Sequence, residues 1–321
     1  MRIAATEINS HIKNIDLFIC SSGFESRSKS FALAVDKEKV KNAIIFHIDE
    51  NYTVSYENLI ELKSRITNLE TIQHPKNNPI ETYDIILKRL DNFYAQNLTK
   101  EKFEIIVDVT TFTREVLLIL FKALNHTCYL NKAHINLVYT PAESYPCDWL
   151  TKGVRYIRSI FGFSGMMLPS RKLMLVVLNG FENERTEEII KSFEPNAILL
   201  GKPSYSESIN KELCETGLAK FEEIKSKHSS KIIEEFEFSC VEIEKTMETI
   251  ENLIKKYGDH YNIVLSPLNN KISTIAVAFV ALNNDNVQVC YASANQYNIN
   301  EYSVPCDYFL FFGMNSYLNE N

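Results

Sequence analysis

The chain has 321 residues, 45% of them hydrophobic, which is enough for one large domain or two of ordinary size, each with its own core. The 34 Lys and Arg stand against 41 Asp and Glu, and the formal charge of −7 argues against general DNA binding, because phosphate affinity comes from clustered basic residues. The apolar runs are too short to span a bilayer and the first residues lack a signal-peptide pattern, so we expect a cytoplasmic protein without membrane contact.

The first half of the chain alternates short β-rich runs with stretches of helical periodicity. Buried strands are predicted at 17–20, 44–48, 105–107 and 135–139, and a helix is predicted over 81–93. Strands that are apolar on both faces are typical of a parallel sheet covered by helices. The first half is therefore predicted to be a Rossmann-like α/β domain.

The second half repeats this alternation after a predicted junction at 151–171. Its strands are predicted at 173–178, 198–200, Ile243, 263–265 and 287–291, and its helices at 211–225, 246–257 and from residues 182 and 272. The predicted fold is α/β, with two tandem Rossmann-like parallel-sheet domains, 1–165 and 166–321, that form an internal pseudo-dimer.

The two halves also share short sequence blocks in the same order, which predicts a duplication. The matching positions lie 152 to 159 residues apart: Gly23 and Gly180, Asn42 and Asn196, Val107 and Val264, Tyr139 and Tyr291, Pro146 and Pro305. The first pair ends an apolar run with Gly-Phe-Glu, and an Arg follows closely in both copies.

Several familiar sites are excluded by spacing. The nine glycines form no G-x-G-x-x-G and no G-x-x-x-x-G-K-[ST], so both glycine-rich phosphate-binding loops are absent. The seven cysteines contain no C-x-x-C, and the seven histidines show no H-x-x-x-H or H-x-E pairing. We therefore expect no metal site, no cofactor and no disulfide framework.

Ligands of open parallel sheets bind beyond the carboxyl ends of the strands, and the loop after the first strand is one candidate. Its predicted ligand-binding residues are Ser21, Ser22, Gly23, Glu25 and Arg27, and the second copy offers Asn179, Gly180 and Glu182 at the same place. Serines and an arginine at a helix amino terminus suit an anion. The alternative interpretation is that these residues only cap the next helix.

A second loop follows the strand at 105–107. It contains Asp108, Thr110, Thr111, Thr113 and Arg114, and three hydroxyls, a carboxylate and a guanidinium exceed what one helix cap needs. A cap alone remains the alternative for Thr111 or Thr113. The second copy supplies Ser266, Asn269, Asn270 and Lys271, which retain hydrogen-bonding groups and one cation but lose the carboxylate.

This strand, followed by Asp-x-Thr-x-x-Thr-Arg and a helix, resembles the late-strand motif of the CRISPR-associated Rossmann fold (CARF) family, in which Asp-x-Thr-x-Gly-Thr-Lys follows a strand. Asp108, Thr110, Thr113 and Arg114 match that motif, with Phe112 where the family commonly has Gly and Arg for its Lys. The duplication also resembles SAVED domains, which are similar to two fused CARF units.

The resemblance implies binding of cyclic oligoadenylates across the pair of units in antiviral signalling. It therefore implies a sensor of prokaryotic antiviral defence that binds a nucleotide second messenger in a cleft between the halves. No effector domain remains, so output would pass to a separate effector protein or to self-oligomers. The second copy matches the motif only loosely, through Ser266, Asn270 and Lys271.

Charge favours the first predicted half as the place for an anion. Residues 1–165 contain 20 Lys and Arg against 19 Asp and Glu, whereas residues 166–321 contain 14 against 22. Lys152, Arg155 and Arg158 add to the first side, although a solvated face is the more common meaning of such a run.

Other paired features leave alternatives open. Cys147 and Cys306 share a Pro-Cys-Asp-[Trp/Tyr] context, which favours packing over a catalytic thiol. Tyrosines keep a six-residue spacing in both copies and suit either base stacking or core packing: Tyr139, Tyr145, Tyr291 and Tyr297.

Two further functions compete with the sensor. One is a metal-independent phosphodiesterase similar to ring nucleases, in which Asp108, Glu25 and a hydroxyl align the attack. Separately, Glu25 and Glu182 both follow Gly-Phe and would suit general acid–base work if they faced each other across the cleft between the halves. The other is a non-catalytic interaction subunit of a defence complex, which the poorer polar content of the second copy favours.

Overall fold

The computed structural model describes residues 1–48, 53–75, 77–145, 149–299 and 302–318. The chain divides into two compact units. Unit 1 comprises Met1–Cys147 and Ile299–Asn321, and unit 2 comprises Asp148–Asn298. The two predicted α/β sheets are confirmed, while the pairing of the halves as a pseudo-dimer stays a prediction.

The strands follow one another along the chain as β1 (Arg2–Ala4), β2 (Leu17–Ser21), β3 (Ala43–Ile48), β4 (Leu69–His74), β5 (Phe103–Asp108), β6 (Ala133–Tyr139), β7 (Ala142–Ser144), β8 (Thr151–Ser159), β9 (Lys172–Leu178), β10 (Ala197–Pro203), β11 (Ile232–Phe238), β12 (Tyr261–Pro267), β13 (Val287–Tyr297), β14 (Val304–Pro305) and β15 (Tyr308–Gly313).

The α-helices are α1 (Ile8–His11), α2 (Ser30–Ala34), α3 (Thr53–Arg65), α4 (Pro79–Gln96), α5 (Arg114–Leu124), α6 (Thr127–Leu130), α7 (Asn183–Phe193), α8 (Lys211–His228), α9 (Ile243–Tyr257) and α10 (Lys271–Leu282). Short 3-10 turns lie at Ala5–Glu7, Ser26–Lys29, Lys37–Lys39 and Met314–Tyr317.

The sheet of unit 1 has seven strands in the order β1-β15-β6-β5-β2-β3-β4. Strands β2 to β6 pair in parallel, with Leu17 opposite Ile105 and Ala43 opposite Leu69. Strand β15 runs antiparallel to β6, and β1 runs antiparallel to β15. Strands β7 and β14 form a separate two-stranded antiparallel sheet.

The sheet of unit 2 has six strands in the order β11-β10-β9-β12-β13-β8. Strands β9 to β13 pair in parallel, and β8 is antiparallel to β13. Its central strands are buried on both faces because helices cover both, as the predicted apolar runs require. The most apolar helix, α10, is buried from Ile272 to Leu282.

Each sheet contains an antiparallel strand that follows the other copy in sequence. Strand β8 follows the first copy but pairs with β13 of unit 2, with Arg158 opposite Tyr291. Strand β15 follows the second copy but pairs with β6 of unit 1, with Leu310 opposite Tyr139. The two copies have therefore exchanged their last strands. The observed units differ for this reason from the predicted halves 1–165 and 166–321.

The exchange removes the predicted charge asymmetry. Unit 1 contains 17 Lys and Arg against 21 Asp and Glu, a formal charge of −4, and unit 2 contains 17 against 20, a charge of −3. The basic residues Lys152, Arg155 and Arg158 belong to unit 2 because they lie on β8. Charge alone therefore does not favour unit 1 as an anion site.

Two details of the prediction are corrected. Ile243 is the first residue of α9 and not a strand, and the third strand of unit 2 is β11. The predicted junction at 151–171 contains the nine-residue strand β8, because Val154 and Ile157 pack against the core of unit 2. No helix that the structure describes is both long enough and apolar enough to cross a bilayer.

Candidate functional site

The two predicted loops of unit 1 contact each other at the carboxyl edge of its sheet. Strands β2 and β5 are parallel neighbours, so their carboxyl ends meet. The Thr111 hydroxyl donates a hydrogen bond to the Ser21 carbonyl at 2.7 Å. A methyl group at Gly23 would lie 2.9 Å from the Thr111 Cβ, so the close approach of the loops requires glycine here.

Asp108 and Thr110 support the loop from inside. Both are buried, and an Asp108 carboxylate oxygen accepts hydrogen bonds from the Thr110 amide at 3.0 Å and from the Thr110 hydroxyl. The Thr110 hydroxyl oxygen in turn accepts the Thr140 amide at 3.0 Å, which links the ends of β5 and β6. These two motif residues therefore fix the shape of the loop and do not face solvent.

Thr113 and Arg114 lie at the amino terminus of α5. The Thr113 hydroxyl oxygen accepts the Val116 amide at 3.4 Å, so this threonine is the N-cap residue that the alternative interpretation predicted. Arg114 is the first residue of the helix, and both side chains are partly exposed. The helix dipole and this guanidinium both favour an anion at the amino terminus of α5.

Glu25 and Ser303, both partly buried, form a hydrogen-bonded cluster with the buried Arg27. The Arg27 Nε donates to a Glu25 carboxylate oxygen and to the Ser303 hydroxyl, both at 2.9 Å, and Nη1 donates to the Thr140 carbonyl at 3.0 Å. The Ser303 hydroxyl donates to Glu25 at 2.7 Å. Burial alone would lower the pKa of Arg27, but the Glu25 carboxylate holds it above the usual range. The guanidinium therefore stays charged.

An aromatic group lies next to this cluster. Phe24 and Tyr145 each contact the ring of Tyr302 edge to face, with centroid distances of 5.1 and 6.0 Å. All three rings are partly exposed. Burial raises the pKa of Tyr145, whereas the charges of Arg27 and Arg114 oppose that rise. Tyr145 therefore lies within the electrostatic range of both arginines.

Two histidines that the sequence analysis did not select lie at the ends of β3 and β4. The Ser22 hydroxyl is 2.8 Å from Nδ1 of His47. His74 is 3% exposed, and its pKa is lowered to about 4 by burial and by His47. Neither histidine belongs to a recognisable sequence motif. Only its position at the end of a strand could have identified it as a candidate site residue.

Unit 2 places its equivalent residues in a closed amide network. The Asn179 side-chain oxygen accepts a hydrogen bond from the Thr186 hydroxyl, and the Asn179 backbone carbonyl accepts one from the Asn269 side-chain amide, both at 2.8 Å. Asn270 caps α10 through the Ser273 amide and donates to the Cys240 carbonyl at 2.7 Å. These amides hold the loops of unit 2 together.

The remaining predicted residues of unit 2 differ in exposure. Ser266 is fully buried, whereas Lys271 is partly exposed as the first residue of α10, the position that Arg114 has in unit 1. Gly180 approaches the backbone closely, because a methyl group there would lie 2.0 Å from the Leu268 carbonyl oxygen. Glu182 forms an ion pair with Arg185 at 3.2 Å.

Two of the repeated tyrosines pack inside strands. Tyr139 and Tyr291 are buried within β6 and β13, and burial raises the pKa of the Cys306 thiol, which disfavours a thiolate nucleophile. Tyr297 is partly buried at the end of β13. Cys147 lies outside the described residues. Among the described residues, no group of three or more His, Cys, Asp or Glu side chains is arranged to hold a metal ion.

Comparison with protein-family models and with curated proteins gives no match. Two solved structures show weak similarity. A periplasmic ribose ABC transporter from Conexibacter woesei DSM 14684 is 10% identical over 86% of this chain and 79% of that chain, with a TM-score of 0.24. A protein from Pseudomonas aeruginosa UCBPP-PA14, named as a universal stress protein, is 11% identical over 88% and 94%, with a TM-score of 0.25. Neither value indicates a function for this chain.

Proposed function

We propose that this protein is a sensor that binds a nucleotide second messenger of prokaryotic antiviral defence at the carboxyl edge of unit 1. The observation that carries the proposal is the position of Thr113 and Arg114 at the amino terminus of α5. The motif resemblance to the CARF family supports the choice of a nucleotide. The signal would pass to a separate effector protein or to oligomers of the chain in the cytoplasm.

The phosphate of such a ligand would bind at the start of α5. The dipole of this 11-residue helix favours negative charge at its amino terminus. Arg114 adds a fixed positive charge whose planar fork matches phosphate oxygens. The hydroxyl of Thr111 helps only indirectly, because it already donates to Ser21.

The base of the ligand would contact the aromatic group of Phe24, Tyr145 and Tyr302. Their rings are partly exposed and lie near the loop that ends at Arg27. Stacking of a base on an aromatic side chain contributes about 1–3 kcal/mol and tolerates different bases. These rings therefore favour a nucleotide over a simple inorganic anion.

The contacts of Glu25 and Asp108 fit a binding protein better than a phosphodiesterase that uses these two carboxylates in catalysis. Glu25 accepts hydrogen bonds from Arg27 and Ser303, and Asp108 accepts two from Thr110. A general base needs an oxygen that faces the reacting group. Both carboxylates instead hold the protein's own loops together, which favours the sensor over the phosphodiesterase.

The test is calorimetry against a panel of cyclic and linear oligonucleotides with the wild type and two variants. Arg114→Ala removes the cation at α5, and Lys271→Ala removes its counterpart at α10 as a matched control. A charge-assisted hydrogen bond contributes about 1.5–3 kcal/mol, so we expect Arg114→Ala to weaken binding roughly 10- to 100-fold.

The control variant should bind within about twofold of the wild type, because its substitution lies in the other unit. Melting curves check that both variants fold. Absence of binding across the whole panel would contradict the proposal, and so would equal losses in the two variants.

A further inference from the structure

Both units contain the same cluster of a glutamate, an arginine and a hydroxyl. In unit 1 it consists of Glu25, Arg27 and Ser303, which we call clasp 1. In unit 2, which carries clasp 2, Arg185 pairs with Glu182 at 3.2 Å and donates to the Thr151 hydroxyl at 3.1 Å, while Thr151 donates to Glu182. The glutamate of each clasp comes from the repeated Gly-Phe-Glu motif, and the arginine is the one that follows this motif closely.

The hydroxyl in each clasp belongs to the segment that carries the exchanged strand. Ser303 immediately precedes β14, which leads into β15 of the unit 1 sheet. Thr151 is the first residue of β8 in the unit 2 sheet. Each clasp therefore ties the loop after β2 or β9 to the chain segment that carries the exchanged strand of the same unit.

The arginines of both clasps are buried, which makes them dependent on their carboxylate partners. Arg27 and Arg185 are each 4% exposed, and the side chains of Glu25 and Glu182 are 12% and 21% exposed. A buried guanidinium that loses its carboxylate is strongly destabilised. Arg27 can thus leave Glu25 only if another anion takes its place.

Clasp 1 is linked to the proposed ligand loop. The Arg27 guanidinium donates to the Thr140 carbonyl, and the Thr140 amide donates to the Thr110 hydroxyl oxygen, each at a distance of 3.0 Å. The charges of Arg27 and Arg114 both act to lower the pKa of Tyr145. Clasp 1 is therefore joined through Thr140 and Thr110 to the loop that leads to Arg114.

We propose that clasp 1 is the switch of the sensor. A phosphate group bound at Arg114 repels the Glu25 carboxylate and attracts Arg27, which binds phosphate oxygens in a bidentate manner. Ser303 then loses both of its clasp partners, and the attachment of β14 and β15 to unit 1 weakens. This inference rests on the proposed function and names the response that follows binding.

The first test needs no ligand and measures hydrogen–deuterium exchange of peptides that cover β15 and β8. Ser303→Ala should speed exchange in β15 about tenfold, because one hydrogen-bonding group to a charged cluster is lost, and should leave β8 unchanged. Thr151→Ala, the matched variant in clasp 2, should do the reverse. Ser303→Thr keeps the hydroxyl and should restore the wild-type rate in β15.

If exchange in β15 were unchanged in Ser303→Ala, the proposed role of clasp 1 would be wrong, because the hydroxyl would not stabilise the position of the strand. Equal acceleration of β15 and β8 would also overturn it, because that result indicates general destabilisation. The variant changes only one hydroxyl, and its melting temperature reports whether the chain is folded.

The second test uses sodium tripolyphosphate as the probe at constant ionic strength. The probe should speed exchange of β15 severalfold in the wild type, and Arg114→Ala should abolish that response. Binding by calorimetry without faster exchange in β15 overturns the switch and leaves the proposed function intact. Absence of tripolyphosphate binding also overturns the switch, while the oligonucleotide panel decides the proposed function separately.

Discussion

The two units share a scaffold but differ in the polar groups at its carboxyl edge. Both keep a glycine after the equivalent strands β2 and β9 and a clasp with a buried arginine, Arg27 with Glu25 and Arg185 with Glu182. Unit 1 adds Asp108 with its threonines and Arg114, whereas unit 2 has a network of asparagine amides. The threonine loop is therefore specific to unit 1.

Net charge does not explain this difference, because the units carry −4 and −3 once the exchanged strands are assigned to their sheets. What distinguishes unit 1 is local, because α5 begins with the guanidinium of Arg114 after a threonine loop, whereas α10 begins with the amine of Lys271 after asparagines. Selectivity for one unit would then come from short-range contacts and not from a long-range field.

The largest expected effect is a difference in the stability lost when each of the two equivalent glycines, Gly180 and Gly23, is replaced by alanine. Gly180→Ala places a methyl group 2.0 Å from the Leu268 carbonyl, which is backbone, so we expect a loss above about 4 kcal/mol in the free energy of unfolding. Gly23→Ala meets the Thr111 side chain at 2.9 Å and should cost about 1–3 kcal/mol.

Gly313→Ala is the control for these two substitutions, because its nearest neighbour would lie 3.8 Å away and its φ is −82°. It should change stability by less than about 1 kcal/mol. Urea denaturation of the three variants gives the comparison. If Gly23→Ala cost as much as Gly180→Ala, the two loops would be packed more alike than described.

The next effect tests whether Asp108 and Thr110 act as one unit in the loop of unit 1. Asp108→Ala and Thr110→Val should each cost about 1–3 kcal/mol, because each leaves a buried partner without its hydrogen bond. The double variant should cost less than the sum by at least about 0.5 kcal/mol. Full additivity in urea denaturation would contradict the network.

The residues at the amino edges of the two sheets should differ in how their contribution to stability depends on pH. Burial raises the pKa of Asp16, but hydrogen bonds from the Glu104 amide, Lys100 and Lys41 outweigh it, so the pKa is lowered. A carboxyl with a lowered folded pKa stabilises the fold above its unfolded pKa, and that contribution is lost as the pH falls through the folded value.

Asp16→Asn should therefore cost about 2 kcal/mol at neutral pH, and the cost should shrink as the pH drops below about 4. Unit 2 uses an amide at the corresponding edge, where Asn196 accepts the Leu173 amide at 3.1 Å. Asn196→Ala should have a cost that does not change with pH. A cost of Asp16→Asn that is equally flat would show that its carboxylate is not stabilised by folding.

The smallest effect is one of thiol reactivity without a change in stability. Cys128 of unit 1 is exposed, with its Sγ 3.0 Å from His126 Nδ1, whereas burial raises the pKa of Cys240 and Cys290 in unit 2 to about 12. Iodoacetamide should therefore label Cys128 at least about 100-fold faster than either buried thiol. Peptide mapping measures the rates, and comparable labelling would show that unit 2 opens readily.

Sequence patterns predict the central strands well because those strands are continuously apolar. The outer strands β4 and β11 escaped prediction, since edge positions alternate polar and apolar residues and Glu234, Glu235 and Glu237 interrupt β11. The strand exchange also escaped it, because matching offsets show which segments correspond but not which sheet each one joins.

The candidate site was predicted in position but only partly in role. The two loops lie at the strand ends where parallel topology requires them. The role of Glu25 and Arg27 was not predictable, because their partner Ser303 is 276 residues away from Arg27 in sequence. Contacts of that separation leave no local pattern.

The central claim is that the ligand binds to unit 1, and hydrogen–deuterium exchange with an oligonucleotide that binds in calorimetry tests it most directly. We predict slower exchange at the loops 21–27 and 108–114 of unit 1, with little change at the equivalent loops 179–185 and 266–271. Protection confined to the loops of unit 2 would contradict the account, and so would equal protection in both units.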